Sequence, residues 1–410
     1  MSDSRPRGGN SSAISGIARH GRLKKSGPLG TVFGIVGTVL GVLVVSSLVI
    51  TGLVLYQFQA NIGPSVNIHP NQSVAPPPGI GVYPGGFNIL VVGDDTRVGQ
   101  GGIGAGPDDG GALNDVTILL HVSADHTFAT AVSFPRDMVV PHPQCSKGGR
   151  AAGLPINTAL SYGGLPCVVT VVEALTGVQI QFAGLITFEG VINMSDAVGG
   201  VDVCVNGPLI DKYSQINLPA AGTYNLSGQT ALAFLRSRHG VGDGSDLGRI
   251  SSQQVYLSSL VRKLEGGGTL SNPLTVYKLA TAATSSMQLS SSLDSVPTMI
   301  SIAATLKNIP PSHVVFVQYP GNTGGSGIFA GKVQPNIALG NQLFSLIKAD
   351  TPFTLGAQAT NRGSETAPGG GTATPNPTDT PIAGASVING LVGQSAATVT
   401  CSKTRPLKNQ

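Results

Sequence analysis

Three arginines, Arg236, Arg238 and Arg249, fall close together in a chain of which only 11% is charged. They belong to the stretch L-R-S-R-H-G-V-G-D-G-S-D-L-G-R-I-S-S-Q-Q, residues 235–254. Guanidiniums gathered this way repel one another and leave donors unpaired unless an anion joins them. Phosphate suits them best, because planar N–H forks make bidentate, charge-assisted hydrogen bonds to it. Three earlier segments carry related chemistry: G-D-D-T-R (93–97), Asn114–Asp115, and S-F-P-R-D (133–137). Carboxylates such as Asp95 and Asp115, brought together from neighbouring strand ends, can hold a Mg²⁺ ion, which takes one or two carboxylates plus phosphate oxygens. Arg97 and Arg136 would join the later arginines around that phosphate. Any one acid–arginine couple reads equally well as an ion pair within a turn; the whole set favours a phosphate-handling site.

The elements that must position these groups follow from apolar patterning. F-N-I-L-V-V-G, starting at Phe87, has the length and β-branching of a buried strand. V-T-I-L-L-H-V (116–122) and T-F-A-T-A-V-S-F (127–134) are the next strands, joined by S-A-D-H, so each chemical segment sits at a strand end. Residues 157–163 and 167–176 have helical character, V-D-V-C-V (201–205) reads as a strand, Val314–Tyr319 as another, and Val333–Lys348 as a helix. The interleaving predicts an α/β (α+β) fold, a central mixed β-sheet flanked by helices. After the central turn of 235–254 a helix follows, on which Arg249 and Gln253 are i and i+4 and share a face. Leu247, Ile250, Leu257, Val261 and Leu264 form an adjacent apolar stripe. Arg236 and Arg238, two apart, would point to one side of an extended segment.

Residues 31–55 contain no charged side chain, and twenty-five residues at 1.5 Å each exceed the ~30 Å of a bilayer's hydrocarbon. A secretory signal has a shorter apolar region, so 31–57 is expected to be a transmembrane helix. Residues 1–30 hold six of the 24 Lys/Arg and one of the 20 acids, which leaves the rest of the chain with 18 basic and 19 acidic residues. That near-neutral remainder shows no basic face for nucleic acid. The basic tail 1–30 is expected in the cytoplasm, and everything after the helix outside. Residues 58–86, rich in Pro, Gly and Asn, read as an extracytoplasmic stalk; 87–355 as the folded domain; and 356–410, Gly/Thr/Pro-rich around 362–381, as a mostly disordered tail.

The cysteines are Cys145, Cys167, Cys204 and Cys401. Sequence alone does not choose among three pairings; Cys145–Cys167 is favoured because it closes a local loop beside the Pro- and Gly-rich segment 141–155. Their spacing does not fit a zinc site. G-Q-G-G-I-G (99–104) has no helix-forming run after it, against a dinucleotide fold. Ser237, His239 and Asp243 are too adjacent for a hydrolase triad, and a turn explains them better.

In order, G-x-D-x-R (93–97), the strand-opening Asp115, S-x-P-R-D (133–137), I-N-x-A-x-x-Y-G-G (156–164), D-A-x-G-G-V-D-V (196–203), R-S-R-H (236–239) and G-R-I-x-x-Q-Q (248–254) make the chain resemble the LytR-CpsA-Psr family over roughly residues 87–265. The remainder to about 350 is similar to the family's actinobacterial-type members. The resemblance implies a membrane-anchored phosphotransferase that moves a glycopolymer from a polyprenyl-pyrophosphate carrier onto peptidoglycan, usually with Mg²⁺. It implies Asp95 and Asp115 as metal ligands, Arg97, Arg136, Arg236, Arg238 and Arg249 as pyrophosphate contacts, and Gln253 as an active-site glutamine. Two positions depart from the pattern: Asn114 and Ser252 stand where the family commonly has Arg. The loop 98–113 reads as long and flexible. The arginines and the metal would neutralise charge on the transferred phosphoryl group and on the leaving polyprenyl phosphate. Asp95 is the candidate general base, with metal ligation as its competing role, and Val, Leu and Ile of 156–204 could line a polyprenyl tunnel or simply pack a core. A pyrophosphate hydrolase and a non-catalytic cell-wall regulator are the alternative functions.

Overall fold

The computed structural model describes residues 27–70, 81–95, 112–143, 145, 150–266, 273–356, 360, 362–367, 382 and 384–410. The chain divides into two compact units, Met1–Val54 and Leu55–Gln410. A single helix, α1 (Pro28–Asn61), begins before the expected 31–57 and ends after it. Its apolar stretch Pro28–Leu53 is 26 residues long with none of it buried, as a single-pass membrane anchor requires. Among the described residues Ile156–Thr176 is also long and apolar enough to span, but 44% of it is buried, and it is a core element of the second unit.

The elements of that unit are β1 (Phe87–Asp94), β2 (Asn114–Val122), β3 (Ala129–Ser133), β4 (Val139–His142), β5 (Arg150–Pro155), α2 (Ala159–Thr176), β6 (Phe182–Ile186), α3 (Phe188–Ala197), β7 (Val201–Val205), β8 (Leu209–Asp211), β9 (Ile216–Leu218), β10 (Gly222–Leu226), α4 (Gly228–Arg236) and α5 (Asp246–Gly266). They continue with α6 (Pro273–Ser286), β11 (Met287–Leu289), α7 (Val296–Leu306), β12 (Val314–Gln318), β13 (Gly321–Thr323), β14 (Val333–Pro335), α8 (Ile337–Lys348), β15 (Phe353–Leu355), β16 (Ser364–Thr366), β17 (Ser386–Ile388), β18 (Gly393–Ser395) and β19 (Thr400–Ser402). A seven-stranded sheet runs β11-β6-β1-β2-β3-β12-β18. It is mixed, because β1–β6 and β3–β12 pair in parallel and β1–β2 and β2–β3 antiparallel. A second sheet runs β10-β7-β19-β16.

Side-chain alternation decides which face meets which helix. Leu90 and Val92 of β1, with Leu119 and Val132, turn to a core closed by Val168 and Val172 of α2 and Leu343 and Phe344 of α8. Ile89, Ala131 and Phe316 turn to the other face, where Ile302 of α7 packs. On β7, Val201, Val203 and Val205 are buried while Asp202 is exposed; they pack with Phe234 of α4 and Val255 and Tyr256 of α5. Helix α2 is kinked at Gly163 and Gly164 ahead of Pro166, which is why its sequence reads as two helical pieces. It ends at Gly177 in the left-handed region (φ 68°), whose N–H returns to Glu173 O.

Four expectations change. The expected helix 333–348 starts only at Ile337, because Val333–Pro335 pairs with β13 and Asn336 caps the helix by accepting from Leu339 N. The stalk is not wholly separate: Val66 N donates to Leu289 O (2.9 Å), Ile68 is buried in the core, and His69 meets Glu173 at 3.0 Å. The domain does not end at 355, since β18 joins the edge of the central sheet and β16 and β19 enter the second. The tail expected to be disordered is therefore folded in its described parts; residues 368–381 lie outside them. Its insertion rests on α5. Gln394 Nε2 donates to Gln254 O and Ser258 Oγ, Arg262 reaches Ala396 O and Thr398 O, and Ser252 Oγ meets Ser402 Oγ at 2.7 Å.

Cys145 is bonded to Cys167, as favoured, and Cys204 to Cys401. The second bridge joins β7 to β19 across a sequence separation of 197. Closing a loop that long removes much unfolded-chain entropy, so Cys401→Ser is expected to cost ~3–5 kcal/mol. Calorimetry should show a Tm lowered by several degrees; an unchanged Tm contradicts it.

Candidate phosphate-binding site

The strand ends converge as the motif order demands. Strand β1 delivers Asp94 and Asp95, and β2 opens opposite them, Asp94 pairing with Asn114 across a register shift at Gly93/Asp94. Asp115 follows directly. Strand β3 ends into Phe134, whose N–H bonds Thr117 O (2.9 Å), and this sets Arg136 beside Asp115, with which it forms an ion pair. From the other side comes the start of α5. Its first residue, Asp246, accepts from Arg136 N (2.8 Å) and from Arg249 Nη2 (2.5 Å). Arg249 also donates to Asp115 O (2.9 Å) and lies 3.6 Å from Asp115 Oδ2. Burial alone would lower the Arg249 pKa, but Asp246, Asp115 and Asp137 hold it above its ordinary value.

Arg236 is the last residue of α4, not part of an extended segment, and its guanidinium lies 4.3 Å from the Phe188 ring centroid. The chain turns extended at Ser237 and passes over Asp211. That buried carboxylate accepts from Ser237 Oγ (2.9 Å) and from the backbone N–H groups of Arg238, His239 and Gly240 through one oxygen, and from Tyr213 N and Ser214 N through the other. Burial alone would raise the Asp211 pKa; these donors hold it below the usual carboxylate value. Arg238 is then aimed at Asp137, 3.5 Å away, which Lys332 also approaches at 3.4 Å.

Arg136, Arg236, Arg238 and Arg249 thus surround one cavity of about 150 Å³, together with Asp115, Tyr213 and His239. Two of their donors, Arg136 Nε and Arg249 Nε, are buried without a hydrogen-bond partner among the described residues. Both atoms are sealed from the cavity as well as from solvent, and Arg136 Nε faces Asp137 Oδ1 at 3.9 Å; what calls for an anion in the cavity is the set of four guanidinium charges that line it. A second, mainly apolar cavity of about 170 Å³ lies between the sheet and helices α3, α4 and α5; it shares Asp115, Arg236 and Arg249 with the first. Val91, Ile118, Ile186 and Leu257 are among its walls, and of the Val, Leu and Ile of 156–204 only Ile186 and Val191 line it. Gln253 lines this apolar cavity rather than the arginine one, and its Nε2 donates to Leu235 O (2.9 Å).

Asp95 is not among the residues that line the arginine cavity. Its N–H bonds Leu113 O, and its carboxylate accepts from Leu113 N at 3.0 Å. Burial first, then repulsion from Asp115, push its pKa up to about 6. Arg97 and nearly all of the loop 98–113 lie outside the described residues. The departures are explained locally. Asn114 is fully buried, donating to Thr117 Oγ1 and accepting from Leu160 N, and Ser252 faces the C-terminal strand, where an arginine would have no room. Ser237 and Asp243 serve Asp211 and Ser245, so no triad forms. Asp211 and Asp246 were not foreseen. Asp246 left a signal, an acid three residues before Arg249 at a helix start; Asp211, in a three-residue strand, left none.

A mixed α/β domain with an arginine-lined, carboxylate-backed cavity beside an apolar one defines an anion site with an adjoining lipophilic pocket. Residues 65–342 match the LytR_cpsA_psr family, and the chain belongs to it. It is 31% identical over 266 residues to the cell wall biosynthesis protein LcpA of Corynebacterium glutamicum, covering 58% of this chain and 50% of that protein. It is 30% identical over 190 residues to the polyisoprenyl-teichoic acid--peptidoglycan teichoic acid transferase TagU of Bacillus cereus, covering 46% and 55%. The chain spans about half the length of the curated relatives it matches. Its fold is similar to the LytR-Csp2A-Psr enzyme from Actinomyces oris (TM-score 0.52, 20% identity, 70% of this chain and 96% of that one). The TagT structure bound to LI-WTA is similar to the same degree (TM-score 0.52, 20% identity, 70% and 99%).

Proposed function

We propose that this chain is a membrane-anchored phosphotransferase that moves a glycopolymer from a polyprenyl-pyrophosphate carrier onto peptidoglycan. The observation that carries the reading is the set of four guanidiniums, Arg136, Arg236, Arg238 and Arg249, around one cavity that adjoins an apolar one. A pyrophosphate linked to a polyprenyl chain matches both. Family membership and TagU, named as a transferase of polyisoprenyl-linked teichoic acid to peptidoglycan, support the substrate class. In the reaction a sugar hydroxyl of peptidoglycan attacks the glycan-bearing phosphorus. A new P–O bond forms, the P–O bond to the carrier phosphate breaks, and the hydroxyl proton leaves to a base. Arg136, Arg236 and Arg238 hold the phosphate oxygens and take up charge as polyprenyl phosphate departs. The N-terminal basic tail and both disulfides support placing the domain outside the membrane.

Asp95 and Asp115 fit a divalent cation: after burial, the neighbouring Asp115 charge raises the Asp95 pKa, as a second carboxylate does where no cation lies between the two. A Mg²⁺ ion held there would neutralise phosphate charge and favour the ionised form of Asp95. Asp115 lines the arginine cavity and Asp95 does not, which favours the metal role for Asp95 over that of general base. Asp95 takes up a proton as pH falls through about 6, so Mg²⁺ is expected to raise Tm at pH 7.5 and do so progressively less below pH 6. A Mg²⁺ shift that is the same at pH 5, or that survives in Asp95→Asn, sinks the assignment.

The function is tested with the full-length chain in detergent, given lipid-pyrophosphate-linked glycan and peptidoglycan with and without Mg²⁺. Covalently linked polymer is expected. Phosphate release without linked polymer identifies a hydrolase, and carrier binding without turnover a regulator.

A further inference from the structure

His239 lines the arginine cavity with Asp115, Tyr213 and the four guanidiniums, yet its side chain makes no hydrogen bond among the described residues. Its position is nonetheless fixed. His239 N donates to Asp211 Oδ2 (3.0 Å), and the imidazole lies against the Tyr213 ring, centroids 4.3 Å apart and planes 34° from parallel. The two ring nitrogens differ: Nδ1 is buried without a partner, whereas Nε2 is not shut away. A neutral imidazole carries one N–H, and the partners each nitrogen can find decide which of them holds it. On Nδ1 the proton would be a donor cut off from water and from any acceptor, which is destabilising. The proton therefore belongs on Nε2, the open nitrogen. A base needs the opposite tautomer, with a lone pair on the open nitrogen and an acceptor behind Nδ1, the part a carboxylate plays in a hydrolase triad. No carboxylate among the described residues plays it here; Asp211 takes the His239 backbone N–H, not the ring.

We infer that His239 is a further phosphate-contacting residue, which gives its Nε2–H as a neutral donor to an oxygen of the substrate pyrophosphate and is not the base that takes the acceptor hydroxyl's proton. The inference rests on the phosphotransferase reading and adds a residue to it. Arg136 and Arg249 share their donors with Asp115, and Arg238 shares its own with Asp137. His239 has no carboxylate to share with, so its N–H is left to the ligand. A neutral donor also adds a hydrogen bond to the cavity without adding a fifth positive charge to four that already repel one another.

Full-length wild type, His239→Phe and His239→Gln would be titrated with geranylgeranyl pyrophosphate by calorimetry in detergent, and assayed for transfer. Phenylalanine keeps a ring against Tyr213 and removes the donor; glutamine gives up the ring and keeps an N–H at the same reach. Losing one hydrogen bond to a charged group weakens binding by roughly ten- to a hundredfold, which is expected of His239→Phe. His239→Gln is expected to recover most of that affinity, and transfer rates to follow the same order. A His239→Phe chain that binds and transfers like wild type overturns the contact while leaving the phosphotransferase reading intact. A His239→Gln chain that binds like wild type but transfers as poorly as His239→Phe overturns the donor role and makes the imidazole the base. A measurement on the wild-type chain alone does not depend on how the variants fold. With the seven histidines nitrogen-15 labelled, the signal missing from His239→Gln is expected as the Nε2–H tautomer, moved by geranylgeranyl pyrophosphate and not by geranylgeraniol. An Nδ1–H tautomer, or a signal that the pyrophosphate does not move, overturns the proposal. A wild-type chain that does not bind the lipid pyrophosphate overturns the phosphotransferase reading, and the His239 contact with it.

Discussion

Arg238→Ala is expected to lower glycopolymer transfer by about 10²–10³-fold while leaving the melting temperature nearly where it was. The first half rests on where the guanidinium stands. It lines the arginine cavity, and removing one preorganised donor from a site of developing negative charge costs rates of that order. The second half rests on its weak structural engagement. Its side chain is 36% exposed and lies 3.5 Å from Asp137, a pair worth no more than ~1 kcal/mol. Asp137 is not stranded by the change, because Lys332 stays within 3.4 Å. The loop itself also survives, since Asp211 holds the backbone N–H of residue 238 and not its side chain. A variant that transfers polymer at the wild-type rate removes Arg238 from the site. One that loses both activity and several degrees of Tm shows that its role is structural.

The contrast between positions explains how much of this molecule could be read from its sequence. The strands β1, β2 and β3 are five to nine residues long and built around Val, Ile, Leu and Ala, and Asp115 and Arg136 beside their ends come together with Arg249. Long apolar runs carry their own signal. The C-terminal strands do not. G-Q-S (393–395) and T-C-S (400–402) are three residues each, too short for any periodicity, and they follow a Gly/Thr/Pro-rich stretch that reads as tail. What recruits them is tertiary: amide and hydroxyl groups of α5, Arg262, and the Cys204–Cys401 bridge. Ser252 shows the same thing from the other side. Read alone it is a missing arginine; in the fold it is the small residue that lets β19 approach α5.

The C-terminal segment also bears on the site. Gly242 N donates to Lys403 O (2.8 Å), Arg405 N to Gly240 O (2.8 Å), and Val241 bridges Thr404. The loop between Arg238 and Asp246 is therefore held beneath by Asp211 and along its length by residues 403–405, beyond the family match that ends at 342. A fixed loop matters because donors aimed at developing charge act without reorganising only if their backbone does not move.

Arg249→Met should behave oppositely to Arg238→Ala, losing ~3–5 kcal/mol of stability along with activity. The Arg249 side chain is 6% exposed and that of its partner Asp246 is 2%, so water cannot compensate either charge. Deleting one member of such a buried pair leaves the other charged and unpaired, which is what makes the loss large. Methionine keeps most of the side chain's bulk, so a cavity contributes little. Asp115 still pairs with Arg136, and Asp246 still accepts from Arg136 N, so the damage centres on the charge of Asp246. A second substitution, Asp246→Asn, removes that charge and should restore a substantial part of the stability without restoring transfer. Chemical denaturation of the two single variants and the double one measures the coupling directly. If the double variant is as unstable as the sum of the singles, the pair does not hold the start of α5. If transfer returns with stability, Arg249 is a structural residue and does not bind phosphate.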